Sequence, residues 1–257
     1  MPTAAGLNYI VQNGEISEKP PLVLIHGAGA SHSIWPAELL KIPGRRVYAV
    51  DLPGHGGSPG SGQLSIFTYA DRLAGFLQAA QIPQAVFVGH SMGAAIALAI
   101  GLEYPEMAAG LALISCAAVL DVPTNLIDMS AAHPTRPIAV EGLVERSFSA
   151  QTPQHLVEST VHWLLSLKTG TLHGDLLACE AFDVRELIQR INVPVLVACG
   201  SEDRLAPPSA AHLLVARIPT ARLRLFYGAG HMLILEQPAA LAASLVQFLD
   251  EVATPLQ

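Results

Sequence analysis

The apolar positions of this chain fall into two kinds of run that alternate along its length. Short runs, apolar on both faces, occur at 21–25 (PLVLI), 46–50 (RVYAV), 85–88 (AVFV), 110–115 (GLALIS), 194–198 (PVLVA) and 223–226 (LRLF). Such runs predict strands buried on both sides. Longer runs at 67–80, 93–102 and 238–252 predict helices. Strands alternating with helices predict an α/β fold, a mostly parallel, doubly wound sheet covered on both faces. Ligands of such sheets gather at the carboxyl ends of the strands. Each of these strands runs into a loop of glycine or polar residues.

One region breaks the alternation. Between 121 and 189 the pattern predicts four helices, 122–133, 138–149, 153–167 and 171–182, with Pro123, Pro134, Pro137 and Pro153 marking the breaks. A purely helical stretch between two strands reads as a lid inserted over the sheet. The expected division is a core of 1–120 and 190–257 and a cap of 121–189.

Composition narrows the partners. The chain has 257 residues and a formal net charge of −7, with only 14 Lys and Arg in scattered positions. Phosphate binding needs clustered cations, so a nucleic acid is not expected. The richest apolar stretch, 86–102, is interrupted by Gly89, His90, Ser91 and Gly93. It falls short of the roughly 20 apolar residues of a membrane span. The start, MPTAAGLNYIVQNGE, lacks a basic region followed by an apolar run. Cys116 and Cys199 lie in runs that read as strands, where a free thiol packs as a small hydrophobe. No His or Cys cluster has metal-ligand spacing. The expected compartment is the cytoplasm, and monomer and homodimer both stay open.

The chemistry is carried by the turns. Gly89-His90-Ser91-Met92-Gly93 follows the strand AVFV and opens an Ala-rich helix. In that strand–turn–helix setting a serine sits on a sharp, strained corner with its hydroxyl clear of the sheet. Glycines on either side let neighbouring chain approach. The helix amino end favours negative charge developing nearby. A serine hydroxyl needs a base. Of ten histidines, His231 alone lies in a late loop beyond a strand. The orienting acid should follow another strand end; Asp203 is the first choice, with Glu202 and Asp121 as alternatives. An oxyanion needs backbone donors. The N–H of Met92 is one, and the loop 26–30 supplies the other from Ala28 or Gly29.

Taken together, HGAGA (26–30), DLPGHGGS (51–58), GHSMG (89–93), CGSEDRLAPP (199–208) and GHMLILEQP (230–238) resemble the α/β-hydrolase superfamily. They are most similar to its capped carboxylesterase, haloperoxidase-like and meta-cleavage-product hydrolase branch. The resemblance spans most of the chain. It implies a triad of Ser91, Asp203 and His231, oxyanion donors at Ala28 and Met92, and a helical cap between strands six and seven. In the family Asp51 and His55 are structural. Only one strand, 7–11, precedes PLVLI, so the family's first edge strand is expected to be missing or very brief. Carbon–carbon bond hydrolases of the branch carry Trp after the catalytic His, where this chain has Met232. Epoxide hydrolases and dehalogenases of the fold use an Asp nucleophile, which Ser91 replaces.

The expected function is hydrolysis of a small apolar carboxylic ester through an acyl-enzyme, with no cofactor or metal. The alternatives are carbon–carbon hydrolysis of a diketone-like ring-cleavage product, acyl transfer, and a triad-retaining binding protein. Residues expected to face the substrate are Gly27, Gly29, His90, Met129, Phe148, Trp163, Leu164 and Met232. Leu126, Ile127, Leu143 and Leu165 are further candidates from the lid.

Overall fold

The computed structural model describes residues 1–12, 19–168 and 170–252. Eight strands form one sheet: β1 (Thr3–Ala4), β2 (Leu7–Gln12), β3 (Leu22–Ile25), β4 (Val47–Val50), β5 (Ala85–His90), β6 (Ala108–Ile114), β7 (Val195–Gly200) and β8 (Ala221–Phe226). Their order is β1-β2-β4-β3-β5-β6-β7-β8. β2 runs antiparallel to β1 and to β4, and all other pairs are parallel. The first edge strand exists but is two residues long.

Both sheet faces are covered, as the two-sided apolar runs require. Val23, Ile25, Phe87, Leu111, Leu113, Val195 and Val197 point to one face. There they pack with α2 (Ile66–Ala79), α3 (Met92–Glu103) and α8 (Pro208–Arg217). Leu22, Leu24, Val86, Val88, Ala112, Ile114, Leu196 and Ala198 point to the other. Their partners are α1 (Ala37–Leu40) and α10 (Pro238–Val252). Each of the Val, Leu, Ile and Phe side chains among them gains about 1.5–3 kcal/mol from leaving water, and the alanines less. α3 is buried from Met92 to Leu102, which explains its lack of a polar face. No helix among the described residues is long and apolar enough to cross a membrane.

The insertion is helical: α4 (Thr124–Ala131), α5 (Arg136–Ser147), α6 (Gln154–Ser166) and α7 (Thr171–Glu180). Pro137 does not break a helix but occupies the first turn of α5, where its missing N–H costs nothing. The four helices share their own apolar cluster, with Ile127, Val140, Val144, Phe148, Leu164, Leu172 and Leu176 closing around Met232 of the core. A short helix, α9 (Leu233–Glu236), follows that methionine.

Candidate active site

The site begins at the corner between β5 and α3. Ser91 has φ 54° and ψ −119°, a strained conformation for a residue with a Cβ. The flanking glycines are compelled by contact. A Cβ on Gly89 would lie 2.2 Å from the Gly93 carbonyl oxygen, and one on Gly93 would lie 2.0 Å from that of Ile25. The corner is also tied to the sheet, since the Ser91 N–H donates to the Ile114 carbonyl at 2.9 Å.

Three loops meet there. His231 Nε2 lies 2.8 Å from Ser91 Oγ. His231 Nδ1 lies 2.9 Å from Asp203 Oδ2 and 3.1 Å from Oδ1. With Nδ1–H donating to the carboxylate, Nε2 is left with a lone pair facing the serine O–H. Asp203 also accepts the N–H groups of Leu205 at 2.9 Å and Ala206 at 2.8 Å. Burial alone would raise its pKa, but the His231 charge and these hydrogen bonds together hold the carboxyl below its ordinary range. Glu202 is exposed, and its backbone N–H joins the Ala229 carbonyl instead. Asp121 lies on the cavity wall, and only Asp203 of the three acids reaches His231.

His90 is turned away from the reacting groups. Its Nε2–H donates to the His231 backbone carbonyl at 3.0 Å. Burial, with the nearby His231 charge, pushes its pKa down to about 3, so the ring is neutral. It steadies the loop of His231 from behind, while its edge still borders the cavity.

The two sequence-predicted oxyanion donors are free. Among the described residues neither the Ala28 nor the Met92 N–H has an acceptor. Gly29, the alternative donor, is excluded because its N–H is already committed to Asp175 Oδ2 at 2.8 Å.

A cavity of about 140 Å³ opens onto Ser91. An apolar cavity of roughly 150 Å³ suffices for a benzene-sized guest. Ile34, Leu143, Trp163, Leu164, Leu176 and Met232 are part of its apolar wall, and among the described residues no Lys or Arg lines it. Of the residues expected to face a substrate, Gly27, Gly29, His90, Trp163, Leu164 and Met232 line this cavity, and so does Leu143. Met129 and Phe148 do not line it. Phe148 is buried in the apolar cluster of the insertion, and Met129 lies on α4 away from the cavity. Leu126 and Ile127 are likewise packed between helices, and Leu165 is exposed. An apolar helix face reads the same in sequence whether it meets a cavity or a neighbouring helix.

Two acids were missed by the sequence reading. Asp175 of α7 is fully buried and accepts from Gly29 N–H, from His55 Nε2 at 2.7 Å and from the Tyr69 hydroxyl at 2.6 Å. Its signal was present, since Leu172, Asp175, Leu176 and Cys179 share one helical face on which only the acid is polar. Glu236 takes Gly230 N–H at 2.7 Å on one oxygen and Ser149 N–H at 2.9 Å on the other. It thereby ties the His231 loop to the segment after α5. All three cysteines are free and buried, and no group of three or more metal-ligating side chains occurs among the described residues.

Comparison with known proteins places this arrangement in context. The profile of the alpha/beta hydrolase family matches residues 22–244. A pimeloyl-[acyl-carrier protein] methyl ester esterase of Aromatoleum aromaticum is 28% identical over 243 residues, covering 86% of this chain and 94% of that one. An esterase from Thermogutta terrifontis superposes with a TM-score of 0.86 at 24% identity, over 96% of this chain and 94% of the other. The enol-lactonase of Burkholderia xenovorans LB400 gives 0.87 at 24%, over 95% and 96%. At these identities the two structures share the fold.

Proposed function

The chain belongs to the alpha/beta hydrolase family and is an ester-cleaving hydrolase, and from that premise we propose that it works through an acyl-enzyme on Ser91. The observation that carries the reading is the unbroken relay from Ser91 Oγ to His231 Nε2 and from His231 Nδ1 to Asp203, opening on an apolar cavity. His231 takes the serine proton as Oγ attacks the ester carbonyl carbon. The carbonyl oxygen becomes an oxyanion held by the Ala28 and Met92 N–H groups. The intermediate collapses, and His231 returns the proton to the departing alkoxide. Water, deprotonated by the same imidazole, then attacks the acyl-serine; as the acid leaves, His231 returns that proton to Ser91 Oγ and the resting state is restored. Asp203 keeps the imidazole in the required tautomer and steadies its charged form.

Residues 121–189 act as the cap that shapes the substrate site. A small cavity without a cation favours a short, uncharged acyl group, and disfavours one ending in a carboxylate. The three unpaired, buried thiols fit a reducing compartment, the cytoplasm. The test is a series of p-nitrophenyl esters with acetyl, butyryl, hexanoyl and decanoyl groups, beside a monoester of a dicarboxylic acid. Turnover should peak at the short neutral acyl groups and vanish in Ser91→Ala. Equal turnover in Ser91→Ala and the parent would overturn the mechanism.

A further inference from the structure

The oxyanion loop is held from two sides. On the core side the Gly27 carbonyl accepts from His26 Nδ1–H at 2.8 Å and from the Ala30 N–H at 3.2 Å. In a trans peptide the N–H points opposite the C=O. Anchoring the Gly27 carbonyl therefore turns the Ala28 N–H away from His26. The contact from Ala30 to Gly27 closes a four-residue turn, and its third residue, Gly29, has φ +63°. The turn can shift as a unit by rotation about the backbone bonds of Ala28 and Gly29, and that carries the Ala28 N–H with it. A glycine on its own offers little resistance to that rotation.

The resistance comes from the insertion. Asp175 of α7 takes the Gly29 N–H at 2.8 Å, and the Trp163 indole N–H of α6 donates to the Gly29 carbonyl at 2.7 Å. Leu164 and Leu167 stand 2.8 and 2.9 Å from where a Gly29 Cβ would be, so the residue is also roofed. We propose that Asp175 and Trp163 are positioning residues that clamp Gly29 and thereby aim the Ala28 N–H at the oxyanion. The cap is then part of the catalytic apparatus, and displacing it misaims one of the two donors. Asp175 is buried among three donors that belong to three separate core segments, which makes the clamp rigid.

This inference rests on Ser91 acting through the Ala28 and Met92 donors, and its test separates the two. The full chain, Trp163→Phe, Asp175→Ala and Ser91→Ala are compared on p-nitrophenyl butyrate and on a matched thionoester. Sulfur is a poor acceptor, so the preference for the oxygen ester reports the oxyanion donors. Loss of a donor costs about 10²–10³ in kcat. A misaimed donor should cost less, about ten- to hundredfold in kcat for Asp175→Ala with KM nearly constant, and severalfold in kcat for Trp163→Phe, whose ring also lines the cavity and so moves KM; in both the oxygen preference falls in step. Turnover in Ser91→Ala equal to that of the parent would end the underlying reading. If Ser91→Ala is inert while both cap variants keep the parental kcat and oxygen preference, the clamp alone is wrong. Should Asp175→Ala not fold, Trp163→Phe decides: an unchanged oxygen preference overturns the proposal, and a reduced one upholds it.

Discussion

Among the described residues two histidine–carboxylate pairs are buried on both sides and nearly the same length, His231 with Asp203 at 2.9 Å and His55 with Asp175 at 2.7 Å, whereas His32 of a third pair, with Asp51, is partly exposed. What differs is the second ring nitrogen. His231 Nε2 meets a serine hydroxyl, which is able to give up a proton. His55 Nδ1 meets the Pro53 carbonyl at 3.0 Å, which is only an acceptor. With acceptors on both sides, His55 is satisfied only when both nitrogens carry protons. Burial by itself would lower its pKa, but the Asp175 hydrogen bond and charge, the Pro53 carbonyl and the Asp51 charge raise it on balance. Under the proposed mechanism the first pair passes a proton, while the second is arranged to keep one. A carboxylate beside an imidazole therefore does not identify a catalytic base; the partner on the far nitrogen does.

Substitutions that break the comparison should differ in kind. In His231→Ala, kcat for ester hydrolysis should fall by about 10⁶, since removing the base of such a relay costs nearly as much as removing all of it. Steady-state assays would show this with little change in folding. Asp203→Asn keeps the shape but favours the wrong tautomer, and kcat should fall by about 10⁴. His55→Phe should act on the other axis. It leaves the Asp175 charge without its partner and costs about 3–5 kcal/mol of stability, read by denaturant unfolding. Its kcat should fall less than tenfold, because Gly29 and Tyr69 still donate to Asp175. A thousandfold loss of kcat in a folded His55→Phe would erase the distinction between the pairs.

How much of this was legible in sequence follows the range of the forces involved. The corner at Ser91 is dictated by neighbours in the chain, and Gly89 and Gly93 record the close approach directly. The centre of the sheet was legible because β3 to β7 are buried on both faces and so are apolar almost throughout, whereas the edge strand β8 alternates and exposes Arg222 and Arg224. His231 and Asp203 were legible because loops beyond strand ends are few. The insertion was legible as helices but not as a surface. Phe148 and Met129 are large apolar residues of the insertion just as Trp163 and Leu164 are, and only packing separates those that line the cavity from those that do not. Asp175 and Glu236 act on residues 146 and 87 positions away along the chain, respectively. No local pattern encodes such partners, although an acid on an apolar helix face marks that one must exist.

The gentlest way to sharpen the comparison is pH. A group whose pKa is higher in the folded protein than in the unfolded chain binds its proton more tightly when folded. Its stabilising contribution is complete below the unfolded value, about 6.5 for histidine, and fades as pH rises through the folded value. His55 is such a group. Moving from mildly acidic to alkaline buffer should therefore lower the Tm of the parent, as one of the two N–H donors is lost and either Asp175 or Pro53 goes without. In His55→Gln the side-chain amide still offers Asp175 an N–H but has no proton to lose, so this part of the slope should disappear. The change should be smaller than the destabilisation in His55→Phe, because deprotonation removes a charge and one hydrogen bond while the ring stays packed against His26, 4.9 Å away between centroids. Identical alkaline slopes in the parent and His55→Gln would mean that His55 does not hold its proton in the folded state, and the contrast between the two pairs would then rest on geometry alone.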